Sequence, residues 1–70
     1  MNEDSINEYT ENIKKLASIY GMGIFTQFIM EERGFDVSNQ QMLNLQLLDQ
    51  LRQQAKILVS NLDTGDNGGL

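Results

Sequence analysis

The sequence predicts an all-α protein: an antiparallel helical hairpin, expected to dimerise into a four-helix bundle. Three observations predict it. Apolar residues recur at alternating spacings of three and four in both halves of the chain, the period of one helix face. A helix stop, a short connection and a helix start follow one another between Glu31 and Gln41. Between them the halves hold more apolar surface than two helices can cover on each other, above all in Leu16–Met30, fifteen residues without a formal charge.

The first helix is expected from about residue 5 to 33, after a flexible stretch at 1–4. Ser5 followed by Glu8 has the spacing of a capping box, in which hydroxyl and carboxylate satisfy each other's backbone N–H groups. Glu3, Asp4, Glu8 and Glu11 crowd the end where the helix dipole favours negative charge. Ile6, Tyr9, Ile13, Leu16 and Tyr20 form the inner seam, which Ile24 and Phe28 extend with a slight drift. Glu11 and Lys15 stand four apart, as an ion pair on the outer face requires.

Gly21 and Gly23 interrupt the helix formers, each at a cost of roughly 1 kcal/mol relative to alanine in a helix interior. The apolar phase continues through them, which favours one continuous or kinked helix. The alternative is a break at Gly21–Gly23 and a three-helix mini-bundle. Ala17 and Gly21, four apart, would also let a neighbouring backbone approach. Gly21-Met22-Gly23 is no phosphate loop, because the third glycine, the lysine and the preceding strand are missing.

Gly34 stands where a left-handed residue ends a helix, with Phe35 placed to fold back toward Met30. Ser38 with Gln41 offers the next capping box, and Val37 with Met42 a hydrophobic staple. The second helix is expected over about 38–62, with Leu48, Leu51, Ala55, Leu58 and Leu62 as its stripe and a glutamine-rich solvent face. Residues 63–70, with three glycines and little to pack, are expected to be a disordered tail.

Closing the hairpin at Asp36 would set Phe25 near Leu47 and Ile29 near Leu43. The apolar surplus then gathers at the loop end, in Met22, Phe25, Ile29, Phe35, Met42 and Leu43. Burying one large apolar side chain is worth roughly 1.5–3 kcal/mol, so four to six left in water represent on the order of 10 kcal/mol unrealised. These six are the candidate protein interface, filled by a second copy, by a protein partner, or by both.

Composition narrows the remaining classes. The chain has 70 residues, no cysteine and no histidine, so disulfides, thiolate sites and the commonest general base and metal ligand are absent. No catalytic residues, cofactor or metal site are assigned, and the chain is expected not to be an enzyme. Glu31, Glu32 and Asp36 are the only acids near enough in sequence to suggest a magnesium site, and capping and dipole effects account for them.

The net charge of −5 disfavours nucleic acid. The competing functional class is nonetheless a nucleic-acid-binding hairpin dimer acting as a regulator, through Lys14, Lys15, Arg52 and Lys56. The uncharged run is too short to span a bilayer, and the acidic opening residues do not form a secretory signal, so a cytoplasmic location is expected. The residues together suggest a small interaction module: an adaptor, a chaperone, or a regulator or inhibitor of the kind mobile elements encode.

Overall fold

In a computed structural model the chain forms two helices packed side by side as a hairpin, α1 (Glu3–Glu32) and α2 (Ser38–Gly69). The structure describes residues 2–69, and the side chains of 2–62. α2 runs past the Leu62 boundary read from the sequence, and the character of the tail at 63–70 falls outside the side chains described.

α1 starts earlier than expected. Its N-cap is Asn2, whose side-chain oxygen accepts the Ser5 backbone N–H at 2.8 Å. Asparagine ranks with serine as a capping residue, and from position 2 it places Glu3 and Asp4 in the first turn, at the positive end of the dipole. Ser5 is thereby a capped donor within the helix, which corrects its expected role as the cap. The helix then continues for 30 residues through both glycines, so no third helix forms among the described residues.

The turn is a Schellman motif. Gly34 has φ +77°, its N–H donates to the Glu31 carbonyl at 3.0 Å, and the Phe35 N–H donates to the Met30 carbonyl at 2.9 Å. Gly34 and Phe35 thus take the backbone roles read from the sequence. The cap of α2 differs: Asp36 Oδ1 accepts both the Ser38 hydroxyl, at 2.7 Å, and the Ser38 N–H, at 3.0 Å. Asp36 takes the Ser38 N–H that the sequence assigned to the Gln41 side chain, because an aspartate two residues ahead can close a local turn on that same N–H.

The rod measures 55 × 16 × 14 Å, one layer of two helices. Its radius of gyration, 16.2 Å, exceeds the about 11 Å of a compact 70-residue domain. Among the described residues no hydrophobic side chain is fully buried. The inner seam of α1 keeps its spacing of three and four through Tyr20, Gly23, Gln27 and Met30. Ile24 and Phe28, expected to extend that seam, are instead exposed. In α2 the half-buried residues include Leu48, Leu51, Ala55 and Leu58, as expected, but the stripe begins at Gln40 and Asn44.

Candidate functional site

The centre of the loop-end half is polar. Asn44 is 4% exposed, and Gly23 is the other buried residue among those described. The Asn44 amide nitrogen donates to the Gly23 carbonyl at 3.1 Å and to Gln27 Oε1 at 2.9 Å. Its oxygen accepts Gln40 Nε2 at 3.0 Å. Gly23 makes the clasp possible: a Cβ there would run into Asn44 Oδ1 and lie 3.2 Å from Asn44 Cγ. No buried side-chain polar atom among the described residues lacks a partner. The cluster therefore holds the two helices in register with its buried polar side-chain atoms paired within the hairpin.

The clasp divides the loop-end half into two open grooves. One is lined by Tyr20, Ile24, Gln27, Gln41, Asn44 and Leu45. The other is lined by Ile19, Met22 and Thr26 of α1 with Gln40, Leu43 and Leu47 of α2, among others. Leu43 and Leu47 thus share a groove with Met22 and Thr26, not with Phe25 and Ile29. The latter two lie toward the outer side of α1, away from its seam, at 100° per residue.

All six residues of the candidate interface, Met22, Phe25, Ile29, Phe35, Met42 and Leu43, are exposed, Phe25 at 63%. They do not form one surface. Met22 and Leu43 share a groove, Phe25 and Ile29 turn outward, and Phe35 belongs to the turn. A further set is exposed as well: Ile24 and Phe28, which the sequence places on the inner seam, together with Val59 and Leu45, Leu45 at 67%. The signal was present. Ala17, Gly21, Ile24 and Phe28 repeat at four, three and four beside the inner seam.

The four basic candidates do not all share one side. Adjacent residues on a helix point about 100° apart, so Lys14 and Lys15 turn to different sides of α1. Lys14 pairs with Glu11 at 3.4 Å, both well exposed, where the sequence suggested Lys15 for that partner. Glu31 accepts from Gln27 at 3.1 Å and Asp49 from Gln53 at 2.9 Å, ordinary contacts one helical turn apart. Asp36 is the one described group with a resolved shift: the Ser38 hydroxyl, then the Ser38 N–H, holds its carboxyl below the usual value.

Among the described residues no three acids gather where they could hold a metal ion, and no helix is long and apolar enough to cross a membrane. The features left with chemical potential are the apolar grooves and faces. No protein-family model, no curated protein and no solved structure matches this chain.

Proposed function

We propose that the chain is a non-enzymatic protein–protein interaction module of the cytoplasm, an adaptor, chaperone or regulator, which covers its apolar faces by self-association or on a partner protein. One observation carries this reading. Among the described residues thirteen large apolar side chains are exposed and no hydrophobic one is fully buried. Exposed apolar side chains in that number, with none enclosed to balance them, support interaction sites that another surface covers. Met22, Phe25, Ile29, Phe35, Met42 and Leu43 are the first candidates for contact.

The test is sedimentation equilibrium of the full chain over a wide concentration range, with fluorescence of a dye that reports apolar surface. The expected result is dye binding at low concentration, with either a mass above the monomer or loss of dye signal as association proceeds. A chain that stays monomeric and silent to the dye throughout would overturn the reading.

A further inference from the structure

Resting on that reading, we propose that Met22 is a reversible oxidation site: a peroxide converts it to the sulfoxide, and the groove it lines then no longer accepts an apolar partner surface. Met22 is 63% exposed and Met42 60%, whereas Met30 lies half-buried on the inner seam. The chain has no cysteine, so methionine thioethers are its only sulfur. Of these three, Met22 is the one that lines a groove, with Ile19, Leu43 and Leu47, on the more apolar side of the clasp. A change of polarity at its sulfur is therefore a change in the groove.

The step is a two-electron oxidation. A sulfur lone pair attacks one oxygen of hydrogen peroxide, the O–O bond breaks and an S–O bond forms. The transferred hydroxyl gives its proton to the departing hydroxide, which leaves as water; sulfur is oxidised and the peroxide oxygen reduced. The oxidant must meet the sulfur from outside, so exposure orders the rates. The product replaces a soft, apolar sulfur with a polar S–O group that accepts hydrogen bonds. In this groove Thr26 stands one helical turn from Met22, and Gln46 and Gln50 line the α2 wall. With such donors and water beside it the sulfoxide stays at the surface, and the hairpin keeps its clasp. An apolar partner loses instead, because covering the sulfoxide strips it of water. Methionine sulfoxide reductases, one for each epimer at sulfur, reverse the step: two thiols become a disulfide and the oxygen leaves as water.

The experiment treats the full chain, dilute enough to stay free, with hydrogen peroxide and follows oxygen uptake at each methionine by peptide mass spectrometry. Met22 and Met42 are expected to be oxidised severalfold faster than Met30, and the three rates to converge in denaturant. Equal rates in the folded chain would overturn the site. Binding of anilinonaphthalene sulfonate then reads the groove, each protein being compared with its own untreated sample. Oxidation is expected to weaken dye binding by about threefold or more with helicity unchanged by circular dichroism, and the two reductases with dithiothreitol to restore it. Met22→Leu should lose that response and Met42→Leu should keep it. A response that survives Met22→Leu, or that accompanies loss of helicity, would overturn the groove as its seat. An untreated chain that binds no dye would overturn the interaction reading itself, while the order of the oxidation rates would still decide the site.

Discussion

Asn44 of α2 reaches across the hairpin to donate to the carbonyl of Gly23 in α1, at 3.1 Å. A helical carbonyl already accepts from within its own helix, and its second lone pair is reachable only where no side chain stands in front of it. Glycine supplies that access, and asparagine, with two N–H donors on one nitrogen, serves both Gly23 and Gln27. A polar clasp in an otherwise apolar seam costs stability relative to leucine but selects one register, since a shifted pairing leaves buried amide groups unsatisfied.

Asn44→Ala is expected to lower the stability of the hairpin by about 1–3 kcal/mol, the cost of leaving buried partners unpaired. The groups stranded would be Gln40 Nε2 and Gln27 Oε1. Chemical denaturation followed by circular dichroism measures it. An unchanged midpoint would show that the clasp contributes nothing.

The two glycines should respond differently to alanine. At Gly21 the added methyl meets nothing, so the gain in helix propensity, roughly 1 kcal/mol, should appear as higher stability at protein concentrations low enough to keep the chain monomeric. At Gly23 the methyl displaces Asn44 from its position, and the loss of about 1–3 kcal/mol from broken buried bonds should equal or exceed the same propensity gain. Thermal melts of the two variants in parallel decide it; equal stabilisation by both would contradict the clasp geometry.

Gly34→Ala should be destabilising by about 1–2 kcal/mol, the cost of a β-carbon in the left-handed region. Gly34 has φ +77° and open space around it, so the penalty is conformational and not steric crowding by neighbours. Gly34→Asn should lose less, because asparagine tolerates that conformation better. Denaturant midpoints in the order glycine, asparagine, alanine are the expected result.

Asp36 predicts a small acid sensitivity at the turn. The Ser38 hydroxyl and N–H favour its charged form, so the folded state holds its pKa below the ordinary 3.8. A lowered folded value means that the stabilisation is fully present above the ordinary value and is lost as pH falls through the folded one. Carbon-detected titration of the Asp36 carboxyl should give a value below 3.8 that returns toward it in Ser38→Ala. A titration unaffected by that substitution would remove Asp36 as the cap of α2.

The turn was legible in the residues because its information is local. Gly34, the two bonds onto Glu31 and Met30, and the short connection lie within a few residues of one another. The start of α1 was less so, since Asn2 and Ser5 both satisfy the chemistry of a cap and only geometry chooses between them. The surplus of apolar surface was legible in amount but not in layout. Met22, Phe25 and Ile29 were recognised as outward-facing; Ile24 and Phe28 became so only once the seam was known.

Two helices and the left-handed turn that joins them follow from the sequence by itself, because each depends on neighbours within one or two turns; that α1 runs unbroken through Gly21 and Gly23 was decided by the structure. Which stripe of α1 faces α2 was decided by the tertiary structure. A straight helix of 3.6 residues per turn carries two adjacent candidate stripes, one through Gly23 and Gln27 and one through Ile24 and Phe28. Hydrophobicity alone favours the second. The first prevails because Asn44, once enclosed, requires a bare carbonyl and an amide oxygen opposite it, and burying a polar side chain without them would cost more than leaving isoleucine and phenylalanine at the surface of a single chain.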